Sequence, residues 1–479
     1  MSLNLTHGMF VTDEWREAAA TFGVTSPATG EGAFEVADCG PAEARRAADV
    51  AWQAFESWKE RTPFERSEIL YRWQELLLEN QEELARTIST EMGKPIREAR
   101  GEVAYSAGFI RWYAEEAKRT YGQVIPSHTP GKRLLALSQP VGPVYAVTPW
   151  NFPTAMLARK VGPALAAGCT LVVKPAEQSP VSALHMAQLW LQAGGPAGTL
   201  QVLPAQDPVP VSAVLMEDPR IRKVTFTGST EVGRILYRQS AQTVKKISLE
   251  LGGHAPYIVF ADADIGKAVR EVIACKFRNT GQTCVSANRI YVHESIAQEF
   301  SERYVEATRE LQLGDPLLDS TDVGPLVDGQ GLAKVEEHVQ DAVGKGAKVA
   351  LGGRRREGLY FEPTVLTGVT GEMRLMSEET FGPVAPILTF RDTREAVRLA
   401  NDTPFGLAAY LYTNDLSRAW QVAEQLDYGI VGVNDGVPSV AHAPFGGVKQ
   451  SGLGREGGPW GIEEYLGVRY VSMGLPGGG

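Results

Sequence analysis

Apolar spacing divides the chain into regimes. The first 35 residues show no sustained period, and Ser26-Pro27-Ala28-Thr29-Gly30 reads as a turn. From Pro41, a residue suited to the first helical position, Ala47, Ala51, Ala54 and Trp58 fall on one helical face. Ile69, Trp73, Leu76 and Leu77 form a second stripe, and helical segments continue to about Tyr121. Residues 123–139 are punctuated by Pro and Gly around Leu134-Leu135-Ala136-Leu137, a pattern open to a hairpin arm or a plain surface loop.

From Val144 strands and helices alternate. Val144–Thr148 reads as a strand, Pro149-Trp150-Asn151-Phe152-Pro153 as a rigid turn, and a helix runs to Ala167. Short strands at 171–173, 200–203 and 223–226 follow, with helices at 182–192, near 211–216 and at 231–240. Such alternation implies an α/β architecture of parallel strands with crossover helices, of the dinucleotide-binding type. A second series begins at Tyr257-Ile258-Val259-Phe260, with helices at 265–277 and 296–311 and strands at 289–292, 386–390, 408–412 and 430–433. The boundary between the series falls near Leu251. Leu466–Val471 is one more alternating strand.

At 479 residues the chain has room for two or three domains. A net charge of −10 argues against a nucleic-acid partner, which needs a basic face. Cys39, Cys169, Cys275 and Cys284 are scattered, so neither a disulfide framework nor a zinc site is expected, and the reducing cytoplasm suits them. Met1 to Trp15 holds no apolar signal-peptide core, and the longest apolar run, Val161 to Val173, is too short to span a bilayer. The histidines lack metal-ligand spacing, so no metal is expected.

Cys284 lies in the polar, Gly-containing loop Asn279-Thr280-Gly281-Gln282-Thr283-Cys284, between a helix end and a strand; Leu249-Glu250-Leu251-Gly252-Gly253 lies upstream. A thiol nucleophile and a carboxylate base are what acyl chemistry through a thioester requires. Phe226-Thr227-Gly228-Ser229-Thr230-Glu231-Val232-Gly233 follows a strand and opens a helix; it suits either a phosphate at the helix N-terminus or a simple N-cap. Lys174-Pro175-Ala176-Glu177 ends another strand, where a carboxylate can take both hydroxyls of an adenosine ribose and repel a 2′-phosphate; a solvent-facing ion pair is the alternative.

These blocks, with Glu379-Thr380-Phe381-Gly382-Pro383 and Pro444-Phe445-Gly446-Gly447, resemble the NAD(P)-dependent aldehyde dehydrogenase superfamily from about residue 25 to 471, in the family's order. The resemblance implies a Rossmann-type NAD-binding domain (1–122 and 141–251), an α/β catalytic domain (252–450), and a β oligomerisation arm with a C-terminal tail (123–140 and 451–479). It implies Cys284 as nucleophile, Asn151 as an oxyanion donor beside the Cys284 N–H, and Glu250 as the base that activates water. Glu379 and Phe381 would hold the nicotinamide ribose and ring, Lys174 and Glu177 the adenine ribose, and Ser229 a phosphate. Trp150, Gly228, Gly233 and Leu251 complete the implied cofactor site. Glu177 leans the cofactor to NAD, with NADP open. A homodimer or homotetramer is implied as well.

Within the family the blocks are closer to succinate-semialdehyde dehydrogenases, in which two arginines and a serine bind the substrate's distal carboxylate. The matching residues are Arg159, Arg278 and Ser439. Glutarate semialdehyde, 2-oxoglutarate semialdehyde or a neutral aldehyde are the alternatives. A cofactor-free cysteine hydrolase would need a histidine partner that no motif supplies. A non-catalytic protein on this fold would be expected had Cys284, Glu250 or Asn151 been missing.

Many relatives in this branch carry a second cysteine two residues after the nucleophile, where Ser286 stands here. Mild peroxide is therefore expected to oxidise Cys284 without forming an intrachain disulfide to it; peptide mapping of the oxidised protein checks this, and a reducible Cys284 crosslink would refute it.

Overall fold

The computed structural model describes residues 9–11, 15–17 and 19–475. The Met1–Trp15 stretch, in which no signal peptide was expected, falls largely outside them, and the terminal glycines entirely. The first sheet has eight strands in the order Gly452–Leu453, Lys246–Glu250, Lys223–Thr227, Val144–Val147, Leu171–Lys174, Leu200–Val202, Met9–Val11, Trp15–Glu17. Its five middle strands, Lys246–Glu250 through Leu200–Val202, are parallel. Helices cover both faces, so the central strands are buried along nearly their whole length, including the polar positions of Lys223–Thr227. Val144, Ala146, Leu171 and Val173 enter one core with helices Pro63–Glu79, Ile96–Glu116, Pro153–Ala167 and Pro180–Gln192. Tyr145, Val172, Val224 and Phe226 enter the other, against the alanine face of Pro41–Trp58 and helices Pro208–Glu217 and Thr230–Gln242.

The second sheet has seven strands, ordered Lys348–Leu351, Thr364–Thr367, Val384–Phe390, Ala287–His293, Ala255–Val259, Ala408–Tyr412, Ile430–Val433. All neighbours are parallel except at the edge strand Lys348–Leu351. A third, three-stranded antiparallel sheet joins Gln123–Ile125, Lys132–Pro140 and Leu466–Gly474. The 123–139 stretch is thus a β arm, not a loop.

The opening stretch needs correction. Thr21–Thr25 and Gly32–Ala37 form a hairpin, with Ser26–Gly30 as its turn. Only Phe22 and Val24 alternate inward on its first strand, too short a pattern to stand out. Helices Gly329–Gly344, Thr393–Asn401 and Leu416–Gln425 were not expected either. The inward faces of the last two carry little more than Ala396, Ala400, Ala419 and Val422.

Parallel pairing brings chemistry to one edge. Val147 pairs with Lys174 and Phe226, and Thr227 with Glu250, so the segments after these strands emerge together at their C-terminal ends. The second domain supplies the loop between helix Ile265–Phe277 and strand Ala287–His293. Asn279 and Thr280 are left-handed there at φ 51° and 59°, and Gly281 follows at 74°. A Cβ on Gly281 would lie 2.2 Å from the Gly382 carbonyl oxygen. Gly281→Ala is therefore expected to cost about 2–4 kcal/mol through overpacking and backbone strain, read as a lowered urea midpoint.

Candidate active site

Two cavities meet at Cys284. The larger, about 510 Å³, is lined by Trp150, Asn151, Gly228, Ser229, Leu251, Glu379 and Phe381 among others; the second, about 310 Å³, is lined by Tyr105, Arg159, Arg278, Ser439 and Phe445 among others. Cys284 and Met156 belong to both linings. Cys284 is half-buried, while Cys39, Cys169 and Cys275 are buried. Burial, with the charges of Glu379 and Glu250, pushes its thiol up to about 12 against the pull of Arg159 and Arg278.

The loop around the thiol is held by short main-chain approaches. A Cβ on Gly253 would lie 2.2 Å from the Cys284 carbonyl oxygen, so the 250–254 segment passes directly beneath the nucleophile. Asn151 donates its side-chain amide to the Gln282 carbonyl at 3.1 Å, which keeps that amide beside the loop. Asn279 donates to the carbonyls of Asn151 (3.0 Å) and Gln282 (3.1 Å). Ser286 turns its hydroxyl to the Lys276 carbonyl at 3.3 Å.

Glu250 ends its strand buried, and its Oε2 has no hydrogen-bond partner among the described residues. Burial, reinforced by Glu456, holds it well above the carboxylate range; Arg159, Lys160 and Arg455 oppose this only in part. Its carboxylate rests against Gly446, where a Cβ would lie 2.9 Å from Oε1, and it lines neither cavity.

On the larger cavity's wall, Glu379 accepts the Gly253 N–H at 3.2 Å, and burial raises its carboxyl to about 7. Phe381, left-handed at φ 53°, meets the Trp150 ring edge-on at 5.5 Å. Ser229 both lines this cavity and caps helix Thr230–Gln242, accepting the Val232 N–H at 3.3 Å. Gly233 lies behind the wall: a Cβ there would strike Leu251 at 2.4 Å. Lys174 and Glu177 pair with each other and line neither cavity. A helix N-terminus, a glycine approach, an edge-to-face aromatic pair and a carboxylate in one groove suit a dinucleotide.

In the smaller cavity, Arg159 is fully buried, with its guanidinium 3.7 Å from the Phe445 ring centroid. Its Nε is 2.8 Å from Glu456 Oε2, at an angle too poor for a hydrogen bond, and its Nη2 has no partner. Arg278 Nε is also unpartnered. Ser439 and Tyr105 share a hydrogen bond of 2.5 Å. Several neighbours carried no assignment in the sequence: Glu456, which also binds Lys160 at 2.5 Å; Glu98, which accepts the Asn279 N–H at 2.7 Å; and Tyr105. Nothing in the sequence around Glu456 marks it as a partner of residues 159 and 160.

The sequence profile of the Aldehyde dehydrogenase family matches residues 15–471. The chain belongs to this family. A glutarate-semialdehyde dehydrogenase of Pseudomonas putida is 52% identical over 466 residues, 97% of each chain. The NADP(+) succinate-semialdehyde dehydrogenase of Escherichia coli is 50% identical, again over 97% of each chain. The crystal structure of a succinate-semialdehyde dehydrogenase from Burkholderia pseudomallei superposes with a TM-score of 0.97 at 50% identity, covering 98% of each chain. Like its family, this aldehyde dehydrogenase is an NAD(P)-dependent oxidoreductase.

With the thiol raised to about 12, the thiolate fraction of the ligand-free protein grows tenfold per pH unit throughout the ordinary range. Alkylation of Cys284 by iodoacetamide is expected to accelerate without a plateau up to about pH 9; a plateau near neutrality, followed by mass spectrometry, would contradict the electrostatics above.

Proposed function

We propose that this aldehyde dehydrogenase oxidises succinate semialdehyde to the diacid, with NAD as the favoured cofactor. The observation that carries the substrate is the pair of arginines, Arg159 and Arg278, in the lining of the cavity that opens on Cys284. A guanidinium takes a carboxylate in fork geometry. Ser439 adds a hydroxyl. Glutarate semialdehyde, one methylene longer, is the second reading, favoured by the Pseudomonas relative's name.

In the reaction the Cys284 thiol gives its proton to Glu250, which passes it to solvent, as the sulfur attacks the aldehyde carbon; the developing oxyanion is held by the Asn151 amide and the Cys284 N–H, each worth about 3 kcal/mol. The bound dinucleotide supplies the hydride acceptor. Hydride loss from the thiohemiacetal leaves a thioester on Cys284. Glu250 takes a proton from water, which adds to the thioester; the C–S bond breaks, releasing the acid and the thiol. The raised basicity of Glu250 suits this step, and the side chain must swing from Gly446 toward the sulfur. Trp150, Leu251, Glu379 and Phe381 hold the nicotinamide end, Gly228 and Ser229 the phosphates, with Gly233 packing the helix close. Lys174 and Glu177 hold the adenine ribose, and the Glu177 carboxylate disfavours a 2′-phosphate. In this reading residues 1–122 and 141–251 form the cofactor-binding domain, 252–450 the catalytic domain, and 123–140 with 451–479 the arm and tail.

The chain acts as a homo-oligomer through its β arm, supported by the exposed apolar Val124, Leu137, Val468 and Tyr470 on that sheet. It works in the cytoplasm; no helix among the described residues is long and apolar enough to cross a membrane.

The test is aldehyde-dependent absorbance of reduced cofactor, with NAD and NADP in parallel and Cys284→Ala as control. Arg278→Met is expected to raise KM for succinate semialdehyde about 10- to 100-fold while sparing a neutral aldehyde. Equal effects on both aldehydes would discard the carboxylate clamp. Faster turnover with NADP would discard the role given to Glu177.

A further inference from the structure

Behind the active site lies a buried ion pair that the reaction above does not use. Helix Gln81–Met92 ends at Gly93, left-handed at φ 78°, and Pro95 prevents its continuation. The break turns Lys94 inward, where its side chain and that of Glu102 are both 0% exposed and pair with each other. Lys94 Nζ also donates to the Asn151 carbonyl at 2.8 Å and lies 3.6 Å from the Phe152 ring centroid. The other oxygen of Glu102 accepts the Thr154 N–H (2.9 Å), the Thr154 hydroxyl (2.9 Å) and the Ala155 N–H (3.1 Å), capping the first turn of helix Pro153–Ala167. Residues 151–155 are therefore gripped from both ends by one pair of charges.

The grip converges on the oxyanion site. The Asn151 carbonyl takes two donors, Lys94 and Asn279, which fill both its lone pairs and leave that peptide no freedom to rotate. Asn279 and the Asn151 amide both donate to the Gln282 carbonyl, two residues before the nucleophile. Lys94 thus sits at the end of a chain of bonds running through Asn151 to the Cys284 loop. A buried ion pair adds little stability over an apolar pair of the same shape, so what it contributes here is geometry.

We propose that the Lys94–Glu102 pair is the positioning device of the oxyanion site: Lys94 fixes the main chain of Asn151 so that its amide faces the carbonyl oxygen of an aldehyde on Cys284. This rests on the role given to Asn151 above. Neither Lys94 nor Glu102 is a catalytic residue in this scheme, since each acts through Asn151.

The test is a double-mutant cycle in the full-length protein. Lys94→Met is expected to lower kcat by about 10- to 100-fold for succinate semialdehyde and for a neutral aldehyde alike, the cost of a misplaced donor, with the dinucleotide Kd unchanged. In an Asn151→Ala background the same substitution is expected to cost less than about threefold, because the group it positions is gone. A merely structural role would cost the same in both backgrounds, and that result overturns the proposal. So does wild-type kcat in folded Lys94→Met. Lys94→Gln, which keeps a donor without the charge, replaces it in the cycle if the methionine variant does not fold. Failure of both to fold assigns the pair to stability and also overturns the proposal. If the wild type itself reduces no dinucleotide with any aldehyde, the parent reading falls instead, and this one with it.

Discussion

Main-chain contact closer than any side chain permits is the constraint on which this site depends. The Cys284 carbonyl lies over Gly253, the Gly382 carbonyl over Gly281, and the Leu249 carbonyl over Gly452, each 2.0–2.2 Å from where a Cβ would stand. The first of these brings the Cys284 loop of the second sheet onto the segment that leaves the first; the other two tighten each sheet's own segments. The thiol's position is thereby set by both domains at once, and so is the meeting point of the two cavities. The left-handed run at residues 279–281 is the backbone cost of that arrangement.

Charge is the second organising element. Glu456 stands between Arg159 and Lys160, and its field reaches Glu250. Burial works against ionising Glu456, but Lys160 and Arg159 outweigh it and hold its carboxyl below the ordinary range. The negative charge kept there raises Glu250. The arginine assigned to the substrate and the glutamate assigned to water thus share one neighbouring carboxylate, a counter-ion to the first and a like charge to the second, which links recognition at one end of the aldehyde to proton transfer at the other.

The local blocks were legible because each is a short run with its own chemistry: Gln282-Thr283-Cys284, Phe226-Thr227-Gly228-Ser229, Leu249-Glu250-Leu251-Gly252-Gly253. The central strands of both sheets were readable because they are apolar and covered on both faces, whereas Lys246–Glu250, Lys348–Leu351 and Thr364–Thr367 were not picked out. What the sequence hid was pairing at long range. Nothing near Glu456 points to residues 159 and 160, and nothing near Lys94 points to Asn151. Lys174 and Glu177 could be read either as ribose ligands or as an ion pair, and they do pair. Short faces, or faces built of little but alanine, such as Thr21–Thr25 and Thr393–Asn401, gave too little period to stand out.

The two cavities share little more than Cys284 and Met156. On the assignment proposed above, the aldehyde and the dinucleotide have separate doors. Neither partner blocks the other's path, so their order of arrival is not imposed by steric exclusion. The carboxylate product retreats through the door by which its aldehyde entered, and it competes for space with the next aldehyde rather than with the departing reduced dinucleotide.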